Sequence, residues 1–533
     1  MRNAVDVPDR ALFAKRSGSG WTDVTAAQFK REVDALAKGL VAAGIGRGDR
    51  VALLSRTRYE WTLADYAIWT VGGVTVPIYE TSSSEQVVWI LEDSGAVALF
   101  VETPVHARAV SGVRSRVPGL KDVWQLDGGA LEELAGAGRA VGDGDLARRR
   151  ASTDRTSLAT IIYTSGTTGR PKGCRLTHGN FKSLAENAHE RLAEVVKVEG
   201  ASTLLFLPLA HVFARFIQVL CVEAQAKMGH SGDIKTLLDD FAIFRPTFIL
   251  AVPRVFEKIY NSSEQKAAGG GNSRIFAMAT ATAIAWSHAQ DTGSLPLTLR
   301  AKHAFFDRLV YGRLREAMGG QIRYAVSGGA PLGTRLGHFY RGIGITVLEG
   351  YGLTETTAPA TVNTPGQVKI GTVGPPLPGV GIRIADDGEI HVRGVNVFDG
   401  YHNNDAASAD ALQDGWFRTG DIGELDDDGF LRITGRKKEI LVTAGSKNVA
   451  PAVLEDRLRA HPLVSQCIVV GDQKPFIGAL VTLDEEMLPA WARSNGHDGM
   501  TMDQARTDPA IAAALDQAVV DANTAVSTAE SIR

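Results

Sequence analysis

An α/β architecture is predicted for this chain of 533 residues by three observations. Short apolar runs alternate with amphipathic helical patterns through the first part, the rhythm of βαβ units around a mostly parallel sheet. From Gly371 the pattern changes to short strands separated by turns such as Asp387-Gly388 and Asp428-Gly429, which predicts a small antiparallel sheet or barrel. After Gly435-Arg436-Lys437-Lys438-Glu439 a third pattern starts, with a helix, a hairpin and further helices. The expected organisation is a large N-terminal domain of βαβ-layered sheets at 1–436, with a barrel-like β subdomain at 370–436. A small α+β C-terminal domain follows at 437–533.

Each element has its own signal. Residues 25–43 place Ala26, Phe29, Val33, Leu36, Leu40 and Val41 on one helical face. Val51-Ala52-Leu53-Leu54, Val74-Thr75-Val76-Pro77-Ile78 and Val97-Ala98-Leu99-Phe100-Val101 read as buried strands. The stretch 128–156 is poor in large apolar residues and carries Arg148-Arg149-Arg150, so it reads as a surface connection. Strands follow at 160–163, 204–207 and 248–252. Residues 263–273 contain Gly269-Gly270-Gly271 and read as a mobile loop. A core helix is expected at 276–286, a basic amphipathic helix at 302–317, and a strand at 324–327 ending in Gly328-Gly329. Later strands are expected at 382–384, 389–392 and 431–434. A helix at 450–460 and a hairpin from 467–470 and 477–483 complete the reading.

Charge, cysteine count and hydropathy exclude several classes. Lys and Arg number 57 against 60 Asp and Glu, a net charge of −3, so no basic excess points to nucleic acid. Cys174, Cys221 and Cys467 are odd in number and far apart, which argues against a disulfide framework and for a reducing cytosol. No apolar run reaches the ~18 residues of a membrane span. The N-terminus, with Arg2, Asp6, Asp9 and Arg10, has no apolar signal-peptide region. Glycine is in excess, 57 of 533 residues, against a usual ~7%. Such an excess suits loops where backbone approaches a ligand.

The strongest local signal is Tyr163-Thr164-Ser165-Gly166-Thr167-Thr168-Gly169-Arg170-Pro171-Lys172-Gly173. Every residue from Thr164 to Gly169 is small or hydroxylated and follows an apolar strand. Backbone N–H groups and hydroxyls can then converge on phosphate oxygens, while Lys172 adds positive charge. Pro171 before Lys172 and Gly173 after it exclude a Walker A loop, in which Ser or Thr follows the lysine.

This segment resembles the signature of the adenylate-forming, AMP-binding superfamily, which contains acyl-CoA synthetases, peptide-synthetase adenylation domains and beetle luciferases. Further motifs match in the family's order. They are Leu207-Pro208-Leu209-Ala210-His211, Gly328-Gly329-Ala330-Pro331-Leu332 and Glu349-Gly350-Tyr351-Gly352-Leu353-Thr354-Glu355. Trp416-Phe417-Arg418-Thr419-Gly420-Asp421 and Gly435-Arg436-Lys437-Lys438-Glu439 follow. The resemblance extends from near Gly20 to the end of the chain. Within the superfamily, residues 207–215, Val252-Pro253-Arg254-Val255-Phe256-Glu257-Lys258 and Gly445-Ser446-Lys447-Asn448-Val449-Ala450-Pro451 are most similar to bacterial long-chain fatty acyl-CoA synthetases.

The resemblance implies a reaction and a set of roles. A fatty acid and ATP would give acyl-AMP and pyrophosphate; coenzyme A would then take the acyl group, giving acyl-CoA and AMP. Thr164, Ser165, Gly166, Thr167, Thr168, Gly169 and Lys172 would hold phosphates. Thr164 and Glu355 would hold Mg²⁺, a hard ion that prefers oxygen ligands. Asp421 would accept the ribose hydroxyls, and Arg436 would contact ribose or phosphate. Gly328, Gly329, Ala330 and Tyr351 would form the adenine slot, with Glu349, Gly350 and Thr354 among the nucleotide-binding residues. His211 would stand beside the acyl carboxylate, Lys438 would be a hinge, and Gly445 would line the pantetheine tunnel. Lys172, His211, Glu355 and Arg436 form the expected catalytic set. Val212, Phe213, Phe216 and Ile217 would line an acyl tunnel or form helix core. Taken alone, Glu355 reads as a solvated loop carboxylate, Asp421 as a turn residue and Gly445 as a turn glycine.

The expected partners are a fatty acid, ATP and CoA, with no nucleic acid. The expected location is cytoplasmic, with peripheral membrane contact through 302–317, where Arg308, Arg313 and Arg315 accompany Phe305, Phe306, Leu309 and Leu314. Two departures stand against the family pattern. No lysine follows Lys474, so the family's C-terminal adenylation lysine has no counterpart before Arg533, and Val442 stands where some relatives carry lysine. They predict an incomplete C-terminal domain. They also keep open a fatty acyl-AMP ligase and a non-catalytic adenylate-binding homologue, beside the peptide-synthetase and luciferase readings.

Overall fold

The computed structural model describes residues 1–18, 20–164, 170–233, 235–443, 448–528 and 530–533. Three mixed sheets carry its first part. β1 (Ala11–Ser17) and β2 (Gly20–Thr25) form an antiparallel pair. β3 (Arg50–Leu54), β4 (Val74–Ile78), β5 (Ala98–Val101), β6 (Asp122–Gln125) and β7 (Leu158–Thr164) lie parallel in the order β6-β5-β3-β4-β7. β8 (Lys172–Thr177) closes that sheet antiparallel to β7. β9 (Ser202–Leu205) and β10 (Lys227–His230) join the first pair in the order β2-β1-β10-β9. β11 (Phe248–Ala251), β12 (Tyr324–Ser327) and β13 (Thr346–Leu353) run parallel, with β14 (Ala358–Val362) antiparallel on β13.

β15 (Val380–Ile384), β16 (Glu389–Gly394), β17 (Leu412–Gln413), β18 (Trp416–Leu425) and β19 (Leu431–Arg436) build the expected small antiparallel sheet. Beyond it, β20 (Leu441–Val442) pairs with β21 (Asn448–Val449). β22 (Val464–Val470) and β23 (Gly478–Leu483) form the expected hairpin. Apolar residues of this last part gather in two clusters of their own, one around Leu454, Leu458 and Val464 and one around Leu463, Leu488 and Trp491. No helix among the described residues is long and apolar enough to cross a membrane.

The helices follow from their sequences. α1 (Ala26–Ala42) starts in a reciprocal capping box between Thr25 and Gln28. It buries Phe29, Val33, Leu36 and Leu40 as the periodicity requires. α2 (Tyr59–Thr70) and α3 (Val212–Ala224) are joined by charge inside the core. Arg215 and Asp65 are both fully buried, with Arg215 Nη2 donating to Asp65 Oδ1 at 2.5 Å. Arg215 Nη1 donates to Thr160 Oγ1 of β7 at 2.5 Å, and Gln218 Nε2 donates to Asp65 Oδ2 at 2.9 Å. α6 (Thr334–Gly342) packs on β13, α5 (Ser273–Thr292) packs on α6 and on α4 (Pro253–Gly269), and α7 (Pro451–Arg459) packs on β22.

Three segments differ from the sequence reading. Residues 128–156 hold two helices, Ala130–Ala137 and Asp143–Ala151, with Leu134 and Leu146 buried. Large apolar residues are few there because glycine replaces bulk at the contact. A Cβ at Gly39 of α1 would lie 2.2 Å from Leu134 O, and one at Gly138 would lie 2.3 Å from Gly39 N. Residues 263–269 belong to α4 rather than to a loop, and only a short turn separates it from α5. The single helix expected at 302–317 is three pieces: Leu297–Phe306, a π turn Asp307–Tyr311 and Gly312–Ala317. The wider turn buries Phe306 and Tyr311 while leaving Phe305 and Leu309 exposed.

Candidate active site

β7 ends at Thr164, which pairs across the sheet with Lys172 at the start of β8. Ser165, Gly166, Thr167, Thr168 and Gly169 lie outside the described residues. The free edge of β8 is extended by 399–402. Arg175 N–H donates to Gly400 O at 3.0 Å, Asp399 N–H to Arg175 O at 3.0 Å, and His402 N–H to Gly173 O at 2.7 Å. This extra strand sets Tyr401 opposite Cys174. The Tyr401 hydroxyl donates to Glu355 Oε1 at 2.8 Å, and its ring centroid lies 5.0 Å from Lys172 Nζ. The buried Cys174 thiol lies near the Thr164 and Glu355 side chains. Thr164, Lys172 and Glu355 are therefore brought together. Burial, and then the nearby Glu355 charge, raises both the Cys174 thiol and the Tyr401 hydroxyl well above their ordinary values. Both stay protonated and able to donate. No motif singles out either residue, because their pairing spans more than two hundred residues of sequence.

A strained turn presents Glu355. Thr357 and Ala358 have φ of 57° and 84°, a region that side-chain-bearing residues occupy at a cost of roughly 1–3 kcal/mol each. The turn is fixed from several sides. Thr356 Oγ1 accepts Leu353 N–H at 2.8 Å and donates to Ala358 O at 3.0 Å. Thr357 Oγ1 donates to Asn396 O at 2.7 Å, and Asn396 Nδ2 donates to Thr356 O at 3.2 Å. Gly352 is required beside it, since a Cβ there would lie 1.8 Å from Ala358 O. Thr354 is buried within the same turn.

A second group joins β13 to the small antiparallel sheet. Asp421 on β18 accepts from the Tyr351 hydroxyl through Oδ2 at 2.6 Å and from Arg436 Nε through Oδ1 at 2.8 Å. Burial, then the Asp421 charge, raises the Tyr351 hydroxyl far above its ordinary value. For Arg436, burial alone would lower the pKa, but Asp421 prevails and raises it. Lys438 is exposed in the turn just beyond β19. Gly445 lies outside the described residues.

Gly328, Gly329 and Ala330 follow β12, and Gly329 has a φ of 83° that glycine supplies without strain. Gly350 neighbours them on β13, where Glu349 is almost fully buried. The Glu349 carboxylate accepts Leu332 N–H at 3.1 Å. Burial raises it to about 7, against the pull of the Leu332 and Gly371 N–H groups and with help from the charge of Asp456. Glu349 is thus engaged with the 328–332 loop as its support.

His211 caps α3, with Nδ1 accepting Phe213 N–H at 3.1 Å, so that Nε2 carries the proton of the neutral ring. The protein packed around one side of the ring lowers its pKa, although the residue reaches solvent. Its loop is pinned by Thr57, whose Oγ1 donates to Leu207 O at 2.6 Å and accepts Leu209 N–H at 3.1 Å. His211, Val212, Phe213 and Phe216 line an apolar cleft together with Gly328, Gly329, Gly350 and Tyr351. Ile217 is fully buried behind them. The cleft has about 50 Å³ of free space, the share of about two waters at roughly 30 Å³ each. Phe213 on its wall is only partly buried.

The 252–258 motif faces the last part of the chain. Arg254 Nη2 meets Asp484 Oδ2 at 2.5 Å, and Lys258 pairs with Glu486.

The family model described as AMP-binding enzyme matches residues 2–402, and that described as AMP-binding enzyme C-terminal domain matches residues 438–533. The chain is 54% identical over 532 residues to the long-chain-fatty-acid–CoA ligase FadD15 of Mycobacterium bovis, spanning 99% of this chain and 88% of that protein. It is 32% identical over 483 residues to the human long-chain-fatty-acid–CoA ligase 1, spanning 84% and 67%. The solved anthranilate CoA ligase AuaEII in complex with anthranoyl-AMP matches with a TM-score of 0.76 at 19% identity, over 100% of this chain and 91% of that one. The Mycobacterium tuberculosis fatty acyl CoA synthetase matches with a TM-score of 0.64 at 24% identity, over 100% and 92%. These two structures bear on the fold.

Proposed function

The chain belongs to the AMP-binding enzyme family, and from that premise we propose that it is a long-chain fatty acid–CoA ligase. ATP and coenzyme A are its substrates with the fatty acid. A carboxylate oxygen attacks the α-phosphorus of ATP and expels pyrophosphate; the CoA thiolate then attacks the acyl carbon and expels AMP. The observation that carries this reading is the 54% identity to a long-chain-fatty-acid–CoA ligase along 99% of the chain.

The geometry supports roles for the residues. A carboxylate and a phosphate repel one another, so the protein must neutralise charge and fix the approach. Lys172 and the 164–169 segment hold the phosphates. The Thr164 hydroxyl and the Glu355 carboxylate, both near the Cys174 thiol, offer the oxygen donors that a hard divalent ion takes. Mg²⁺ held there would neutralise phosphate charge. Tyr401 fixes Glu355 by its hydrogen bond. Asp421 takes the ribose hydroxyls, Arg436 turns to ribose or phosphate, and Tyr351 lies against adenine. His211 stands by the acyl carboxylate, with the acyl chain entering past Phe213 and Phe216. Lys438 is the hinge between residues 1–436 and 437–533, and Gly445 lines the pantetheine path.

The apolar residues Met278, Leu297 and Phe305 are exposed, as are Arg300, Lys302, Arg308 and Arg313. They support peripheral contact of a cytoplasmic enzyme with an anionic surface.

The test separates the half-reactions. With palmitate, ATP, Mg²⁺ and CoA, the expected products are palmitoyl-CoA and AMP, read by mass spectrometry. Supplied palmitoyl-AMP with CoA isolates the thioester step. Adenylate without thioester would favour an acyl-AMP ligase. Silence in both arms, with nucleotide still bound, would favour a non-catalytic homologue.

A further inference from the structure

α5 and α6 make their closest approach at Gly342, where a Cβ would lie 2.0 Å from Ala283 O. Within about two turns of that approach, three metal-ligating side chains come together. His288 and Asp291 lie three residues apart on one face of α5, and His338 comes from α6. Their ligand atoms all lie within 4.8 Å of one another. The imidazoles of His288 and His338 face each other with centroids 3.7 Å apart and planes 31° from parallel. We propose that His288, Asp291 and His338 form a binding site for a borderline divalent transition metal of the Zn²⁺ class.

Two neutral nitrogens and one carboxylate, with no sulfur and too few oxygens for Mg²⁺ or Ca²⁺, are a borderline donor set. A side chain from one helix facing an i, i+3 pair on its neighbour is how helical bundles hold metals. The surroundings orient the ligands. Ser287 Oγ lies 3.0 Å from His338 Nδ1 and accepts Arg341 Nε at 2.6 Å. With His338 Nδ1–H donating to Ser287, Nε2 presents its lone pair, the usual arrangement of a metal-bound imidazole. Arg341 Nη2 holds Asp291 Oδ2 at 2.7 Å. Asp291 Oδ1 carries no hydrogen bond among the described residues. His288 and Asp291 are exposed and His338 is buried, so a fourth position opens to water. An ion here ties α5 to α6, the helix that follows the 328–332 loop.

The experiment titrates the tag-free whole chain with Zn²⁺ by calorimetry and with Co²⁺ by visible absorption. The expected result is one ion per chain and a Zn²⁺-dependent rise in Tm. His288→Ala and Asp291→Asn, both at exposed positions, should each weaken Zn²⁺ by roughly tenfold or more, and Ser287→Ala by a similar or smaller factor. His497→Ala should change nothing. The three cysteines are buried and do not compete. The proposal is overturned if the wild-type chain binds no Zn²⁺, if His288→Ala and Asp291→Asn bind it as well as wild type, or if Mg²⁺ displaces it at equal concentration.

Discussion

Asp65 and Arg215 pair with both side chains fully buried, whereas Arg254 and Lys258 meet Asp484 and Glu486 with all four side chains partly in water. The first pair is locked. Its charges are desolvated; Asp65 also accepts from Thr75 and Gln218, and Arg215 also donates to Thr160, although its Nε is buried with no partner among the described residues. Opening it would strand a charge in the core. The second pair exchanges protein for solvent at little cost. The locked pair lies between β7, which leads to Thr164, and α3, which His211 caps. The loose pair lies where the 437–533 part rests on α4. On the proposed roles, rigidity lies beneath the residues that would meet phosphate and carboxylate, and weak contacts lie where a hinged unit would let go.

The sharpest way to break this contrast is Asp65→Ala. It should destabilise the chain by about 3–5 kcal/mol, because it leaves Arg215 buried and unpaired, with chemical denaturation as the readout. An Asp65→Leu/Arg215→Met double variant should recover much of that loss. A loss under 1 kcal/mol for the single variant would mean that the pair is not locked.

Glu349 sharpens the contrast, because it is buried on β13 yet feels Asp456 of α7. Its ordinary value is 4.5 and its folded value about 7. The folded state therefore holds the proton more tightly, and this group's contribution to stability falls as pH rises from the first value to the second. The slope is at most about 1.4 kcal/mol per pH unit. Glu349→Gln should flatten wild-type stability over that window. Asp456→Asn should lower the pKa of Glu349 and move the window down. If neither variant alters the pH profile, Glu349 does not report on the seam between the two parts.

Glu355→Gln tests the other end of β13. Adenylation should fall by roughly 100-fold, while the thioester step from supplied acyl-AMP and the unfolding free energy change little. An equal fall in both half-reactions would remove Glu355 from its assigned role. The smallest effect on stability belongs to Arg254→Ser/Lys258→Ser, below about 1 kcal/mol. Small-angle scattering should nevertheless show a more extended particle at low salt, approaching the wild-type profile at high salt. An unchanged profile would mean that other contacts hold the seam.

The legible parts of the fold were those whose burial shows in composition. β3, β4, β5, β7, β11 and β12 are covered on both faces and read as apolar runs. The helices of 128–156 were illegible because Gly39 and Gly138 achieve contact by having no side chain. The π turn after Phe306 leaves no mark in periodicity. At the site, Thr164, Lys172, Glu355, Tyr351, Asp421 and Arg436 stand in local motifs and are found in two hydrogen-bonded groups. Tyr401 and Cys174 lie between those motifs and depend on a strand pairing that no short pattern encodes. Glu349 was read as a nucleotide contact because it sits in a motif, while its carboxylate is bonded to the Leu332 N–H.

The short strand added at 399–402 has a consequence for anyone recombining relatives of this chain. It belongs by sequence to the small antiparallel sheet, but by hydrogen bonding to the hairpin that carries Lys172. A chimera with a crossover between 177 and 399 would take one half of that interface from each parent. Tyr401 and Cys174 would then have to fit neighbours they did not evolve beside, so the two segments form one heritable block, to be exchanged together or left together.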